Sequence, residues 1–263
     1  MKTEARRSQI IQLLEQKGSV LVDDLVALFE VSHVTIRKDL TELEERSLLR
    51  RTHGGATHAY KGLFDPSFRE KLNVQQVEKQ AIAQGALEHI EEGDTLVLGA
   101  GSTVFTLARL MKPRFRSLYI ITNSIPVAIE LVDTHWDILL VGGQVRQHSM
   151  ALVGPAAVRT LEVYHADKAF IGASGVSPGK GYTTPNPYMA DIIKAMIQAS
   201  DQVYALVDSS KLGQTTLASF ASLEEVDLLI SDEAAPKAFL QALQQQKCSY
   251  QLAVGEATAS RVG

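Results

Sequence analysis

Two kinds of residue clusters in this 263-residue chain have the types and spacing that chemistry needs. The first crowds hydroxyls and bases into one short stretch: Ser32, His33, Thr35, Arg37 and Lys38, with Arg50, Arg51 and His53 following. Guanidinium, ammonium and hydroxyl donors at that density suit contacts to base edges and phosphates. The second kind is a series of small polar loops. Gly99-Ala100-Gly101-Ser102-Thr103 offers glycines that let a ligand approach the backbone, and two hydroxyls. At the start of a helix such a loop suits a phosphate. Thr122-Asn123-Ser124, Gly142-Gly143 with Arg146, and Asp208-Ser209-Ser210-Lys211 are the other loops of this kind. Together they supply further donors and an ammonium for an anionic ligand.

Several other patterns fail. A dinucleotide fingerprint needs a third glycine where Val104 stands. Gly179-Lys180-Gly181 resembles part of a P-loop, but Ser174 replaces its first glycine and Gly181 its Ser/Thr. Gly172-Ala173-Ser174-Gly175-Val176 misses the nucleophile elbow at its last position. The seven histidines show no metal-ligand spacing, so neither cofactor nor metal is expected.

The first cluster needs a helix to position it. Val31, Ile36, Leu40 and Leu43 recur as an apolar stripe, Ser32 can cap, and the bases fall at the N-terminal end. That is the end which enters the major groove in a helix-turn-helix. Upstream, Glu4 to Gln16 is a helix with Ile10, Ile11, Leu13 and Leu14 on one face, ended by Gly18. Val20 and Val22 form an extended link. Asp23 or Asp24 opens a second helix, through Leu25, Val26, Leu28 and Phe29. Leu49 to His53 is a strand and Gly54-Gly55 a tight turn. The whole reads as a winged helix-turn-helix over residues 1–57.

Residues 58–74, with Gly62, Pro66 and Asn73, read as a linker. From 75 to 263 the pattern is α/β. After a helix from Gln75 to Ile90, candidate strands are Thr95–Leu98, Leu118–Thr122, Ile138–Val141, Lys168–Ile171, Val203–Val207, Leu228–Ser231 and Tyr250–Val254. Helices are expected at Val104–Met111, Pro126–Val132, Ala156–Val163, Met189–Ala199 and Pro236–Gln245. Apolar strands alternating with helices predict a mostly parallel, Rossmann-like sheet covered on both faces. Each polar loop then follows a strand, which puts all of them around one crevice at the carboxyl ends.

Charge fits a directed contact rather than a general affinity for nucleic acid. The net charge is −4, and residues 1–60 balance to zero. Within those sixty residues the bases at Lys2, Arg6, Arg7, Arg37, Lys38, Arg50 and Arg51 stand apart from the acids at Asp23, Asp24 and Glu42 to Glu45. A single cysteine, Cys248, excludes an internal disulfide and fits a reducing compartment. No signal-peptide core and no apolar run of ~20 residues is present, so a cytoplasmic protein without a membrane partner is expected.

The run VSxxTIRxDLxxLE from Val31, with the HGGA that follows, resembles the DNA-binding domain of the DeoR family of bacterial transcriptional regulators. GST at 101–103, TNS at 122–124, GG at 142–143 and DSSK at 208–211 resemble that family's sensor domain. The resemblance implies a sensor related to ribose-5-phosphate isomerase. It also implies a phosphorylated sugar or polyol as effector, and repression at double-stranded operator DNA. Gly99 stands where the family usually has Asp, and Pro187 and Met189 where it commonly has acids; this implies a less hydroxylated ligand. The competing reading is an isomerase-like enzyme fused to a DNA reader. Isomerisation needs a carboxylate base, and the loop where the relatives carry acids reads Gly172-Ala173-Ser174-Gly175. One winged helix makes few base contacts, so a dimer or tetramer held by the larger domain is expected.

Overall fold

The computed structural model describes residues 3–17, 19–46, 48–52, 54–58 and 65–255, without the side chains of 15–17, 50, 57 and 58. The chain divides into two compact units, Met1–Pro66 and Ser67–Gly263. Among the described residues no helix is long and apolar enough to cross a membrane.

The first unit has three helices, α1 (Thr3–Lys17), α2 (Val22–Phe29) and α3 (His33–Glu45). Strands β1 (Ser19–Leu21), β2 (Leu49–Thr52) and β3 (Gly55–His58) form an antiparallel sheet in the order β1-β3-β2. Ile10, Leu14, Leu25, Ile36, Leu40 and Leu43 close the core, so the apolar stripe of α3 packs inward. The extended link at Val20 is thus a strand of the wing. Val20 pairs with Ala56 and Leu21 with Gly55, and position 55 must be a glycine: a Cβ on Gly55 would lie 1.9 Å from the Val20 carbonyl oxygen. Helix α2 begins at Val22, ahead of both aspartates, because the Val22 N–H is taken by the Gly54 carbonyl at 2.9 Å.

The second unit is built on a seven-stranded parallel sheet in the order β15-β14-β12-β9-β4-β5-β6. Its members are β4 (Thr95–Leu98), β5 (Tyr119–Thr122), β6 (Asp137–Leu140), β9 (Ala166–Ile171), β12 (Ser200–Leu206), β14 (Leu228–Asp232) and β15 (Tyr250–Ala253). They are the seven strands expected, within a few residues at each end. Helices α5 (Gln76–Leu87), α6 (Ser102–Met111) and α7 (Ile125–Leu131) cover one face around Leu96, Leu98, Phe170 and Leu206. Helices α8 (Pro155–Leu161), α9 (Pro187–Gln198) and α10 (Lys237–Gln245) cover the other around Val97, Ile121, Ala169 and Ile171.

Two small sheets lie outside the expected pattern. One is the hairpin of β7 (Gln144–Arg146) and β8 (Ala151–Val153). The other joins β10 (Gly175–Ser177), β11 (Gly181–Thr184) and β13 (Ala218–Ala221). The segment read as a linker also contains a helix, α4 (Phe68–Leu72), whose Phe68 ring is buried. Its N-terminus carries a capping box, in which Ser67 and Glu70 satisfy each other's backbone N–H groups.

Candidate DNA-reading face and effector crevice

In the first unit the chain before α3 is extended, and the Ser32 hydroxyl accepts the Thr35 N–H at 3.2 Å. Ser32 and Thr35 also share a hydrogen bond at 2.9 Å. Both therefore serve first as the helix cap. His33 meets Asp23 of α2 at 3.0 Å, a bond that orients its ring. Arg37 and Lys38 are exposed, and among the described residues neither side chain has a hydrogen bond or ion pair. On the wing, the Arg51 guanidinium donates to Thr41 at 2.9 Å and its backbone N–H to Glu44 at 2.7 Å. Those bonds bring the wing strand alongside α3. His53 and the Arg50 side chain lie outside the described residues.

Sequence reasoning missed two things here. Val34, 73% exposed on the first turn of α3, lies beside the free bases, where an apolar group suits a thymine methyl. An apolar residue outside the stripe was the available signal. Arg6 and Arg7, grouped above with the DNA-facing bases, are buried instead. Their Nε atoms donate to the two oxygens of Asp39 at 2.6 and 2.9 Å. Asp39 points inward from α3, so this ion triad ties the recognition helix to α1.

In the second unit, the carboxyl edge of the sheet collects the polar loops. After β4, Gly99 donates to the Phe170 carbonyl at 2.9 Å, and the Ala100 N–H to Asn123 Oδ1 at 2.9 Å. Helix α6 then starts at Gly101 with no side-chain cap. Its first N–H groups are free of intrahelical partners, as at any helix start. Ser102 and Thr103 are each only 7% exposed, yet among the described residues their hydroxyls make no hydrogen bond. A Cβ added to Gly101 would meet nothing within 4 Å, and neither would one on Gly142. Neither position needs glycine for the chain's own packing.

Thr122, Asn123 and Ser124 play another part. All three are buried. Thr122 donates to the Leu98 carbonyl at 2.6 Å, and Ser124 caps α7 by accepting the Val127 N–H. Asn123 Nδ2 donates to the Leu152 carbonyl at 3.1 Å. Asn123 is thus a clasp between the Gly99–Thr103 loop and the β7-β8 hairpin. Gly143 opens that hairpin at φ 148°, where a Cβ would lie 2.7 Å from the Val153 carbonyl oxygen. Arg146 is half-buried on β7.

Beyond β12, Asp208 is buried and accepts from the Ser210 N–H and hydroxyl. The adjacent Asp232 accepts the Ser209 N–H at 2.7 Å. These bonds shape the short 3-10 turn that presents Lys211, which is half-buried. A third basic group was not foreseen. Lys79 of α5 is 6% exposed and donates to the carbonyls of Lys71 and Val74. Burial holds its pKa below the ordinary lysine value; Asp208 pulls it back up, while Lys211 and Lys71 push it down. Among the described residues no group of three or more His, Cys, Asp or Glu could hold a metal ion.

A winged helix followed by a parallel α/β unit whose polar loops gather at the carboxyl edge of the sheet is the architecture of a DNA reader joined to a second domain large enough to hold a ligand. Comparison with known proteins agrees. Residues 6–61 match the DeoR-like helix-turn-helix domain, and residues 74–233 the DeoR C-terminal sensor domain. The chain is 34% identical over 248 residues to the uncharacterized HTH-type transcriptional regulator YulB of Bacillus subtilis, covering 94% of this chain and 95% of that one. It is 34% identical to the putative aga operon transcriptional repressor of Escherichia coli O157:H7, covering 92% and 91%. The lactose phosphotransferase system repressor of Streptococcus mutans is 36% identical over 88% of this chain and 93% of that one. The protein belongs to the DeoR family of transcriptional regulators. Among solved structures, ribose 5-phosphate isomerase A of Methanocaldococcus jannaschii aligns with 52% of this chain and 54% of its own. That likeness, at TM-score 0.40 and 20% identity, is too distant to bear on activity.

Proposed function

We propose that the protein represses a sugar or polyol catabolic operon in the cytoplasm and is released from operator DNA by a phosphorylated sugar or related metabolite. Residues 1–57 would read the operator, and the second unit would hold the effector and a dimer or tetramer. Reading is supported by Arg37 and Lys38, two cations without side-chain partners among the described residues at the groove-entering end of α3. The reading of the crevice rests above all on Ser102 and Thr103. Two hydroxyls without partners among the described residues, on side chains of residues only 7% exposed, at an uncapped helix start beside a glycine facing open space, fit a phosphate oxygen cluster. Lys211 adds the charge. The names of relatives point the same way, toward repressors of sugar operons.

Release requires that the effector prefer the DNA-incompetent state. A 1:99 to 99:1 reversal needs ~5.5 kcal/mol of differential affinity, shared among the sites of an oligomer. The test is an operator titration with and without effector, on wild type, Lys211→Ala and Ser102→Phe. The phosphorylated sugar is first chosen by thermal shift. Both variants should bind operator normally and stay bound when effector is added. Release at the wild-type effector concentration would move the phosphate elsewhere. Arg37→Ala should lose ~1–3 kcal/mol of operator discrimination with its fold intact; unchanged affinity would remove α3 as the reader.

A further inference from the structure

We infer that α4 is the element through which the crevice acts on the rest of the chain, with Phe68 and Lys79 as the residues that position it. The inference rests on the effector reading above. In chain order α4 is the first element of the second unit, directly after the segment that leads from the DNA reader. It has only five residues, too few to hold its shape alone. What holds it is contact with α6, with the β7-β8 hairpin and with Lys79 of α5.

The Phe68 ring stands edge-on to Phe105 of α6, with centroids 5.6 Å apart. Phe105 lies one turn from the hydroxyls at the start of that helix, and its N–H closes on the Gly101 carbonyl at 2.9 Å. The Phe68 N–H donates to the His148 carbonyl at 2.8 Å, in the turn of the β7-β8 hairpin that Gly143 opens and Asn123 clasps. At its other end α4 is fastened by Lys79, whose ammonium takes the carbonyls of Lys71 and Val74. That ammonium sits within the electrostatic reach of Asp208 and Lys211. The glycine-hydroxyl loop, the hairpin and the lysine turn therefore each bear on one short helix.

The charge arrangement supplies a direction for the effect. Two acids, Asp208 and Glu78, and two bases, Lys211 and Lys71, act on the buried Lys79 ammonium. An anion arriving beside Lys211 offsets that base's repulsion and strengthens the ammonium in place. The Lys71 and Val74 carbonyls are then held more firmly, and α4 opens less often. Apolar packing of Phe68 on Phe105 carries any settling of α6 onto the phosphate to the same helix.

The probe is inorganic phosphate, against chloride at equal ionic strength, with amide hydrogen exchange read on the full chain. In wild type, phosphate should slow exchange at 99–104 and also at 68–74, by about threefold or more. In Lys79→Met and in Phe68→Ala, protection at 99–104 should persist while the response at 68–74 disappears. Lys211→Ala should lose both. Protection of 99–104 in wild type with no change at 68–74 would overturn the inference and leave the effector reading standing. So would variants whose 68–74 response equals that of wild type. No phosphate protection at 99–104 would overturn the effector reading, and this inference with it. Should either variant fail to fold, the two wild-type segments alone decide.

Discussion

Asp39→Ala removes a carboxylate that is 2% exposed and holds two guanidiniums, Arg6 at 2.6 Å and Arg7 at 2.9 Å. Both arginines are then left inside a small core. Arg7 keeps Glu4 at 3.2 Å and Glu42 at 3.8 Å, whereas among the described residues Arg6 has no other acid. Breaking a buried pair costs ~3–5 kcal/mol, and the partial rescue of Arg7 places this change near the lower end, about 3 kcal/mol. At 0.05–0.15 kcal/mol per residue a unit of this size has only roughly 3–10 kcal/mol in all. With a urea slope of about 1 kcal/mol per molar, its midpoint should fall by about 3 M. The two units can be followed separately, because the single tryptophan, Trp136, is buried in the second one. Far-UV circular dichroism should gain an early phase in Asp39→Ala while the Trp136 emission curve stays in place. The combined change Arg6→Met, Arg7→Met and Asp39→Leu should restore the midpoint, since apolar replacement of a buried ion group is often neutral or better. A dichroism curve for Asp39→Ala that superimposes on wild type would refute the reasoning, because the triad would then contribute nothing.

Three further outcomes are expected. Lys38→Ala, if its ammonium meets a phosphate, should lower the slope of log affinity against log salt by about 1, measured by operator titration at several salt concentrations. Asn123→Ala should lower the thermal midpoint seen by Trp136 emission, since the Ala100 N–H and Leu152 carbonyl lose their partners at ~1–3 kcal/mol for each group left buried; an unchanged midpoint would show that water replaces the clasp. Residues 67–263 alone should sediment as a dimer or tetramer at micromolar concentration, and a monomer would remove the larger unit as the assembly surface.

The central sheet was legible because its strands carry short apolar runs, such as Leu96–Leu98 and Ala169–Ile171, separated by helices with clear starts. The small sheet of β10, β11 and β13 was not, because Gly-Val-Ser, Gly-Tyr-Thr-Thr and Ala-Ser-Phe-Ala carry neither a continuous apolar run nor a sustained alternation. Helix α4 is too short to show a helical period, and the breakers Gly62, Pro66 and Asn73 dominate its surroundings. The Ser67-x-x-Glu70 box was the local signal for it. In the site, residue type located the loops but could not say which polar groups face outward. Thr122, Asn123 and Ser124 look like ligand contacts, and their hydrogen bonds are spent on the fold. Arg6 and Arg7 look like phosphate contacts, and Asp39 takes them. Burial of a polar group depends on partners distant in sequence, 32 and 33 residues away here.

Asn123 fastens the β7-β8 hairpin through backbone groups alone, its Nδ2 on the Leu152 carbonyl and its own carbonyl on the Leu152 N–H. Such an attachment is indifferent to the side chains the hairpin carries. Gln144 and Val145 are exposed, and the turn that follows continues the outward face. The β8 strand is fixed by its buried Ala151, Leu152 and Val153, so the exchangeable part of the hairpin is its exposed β7 positions and the start of its turn, residues 144–148. On the effector reading proposed above, transplanting residues 144–148 between relatives would retune what the crevice accepts, with the glycine-hydroxyl loop kept as a constant docking point.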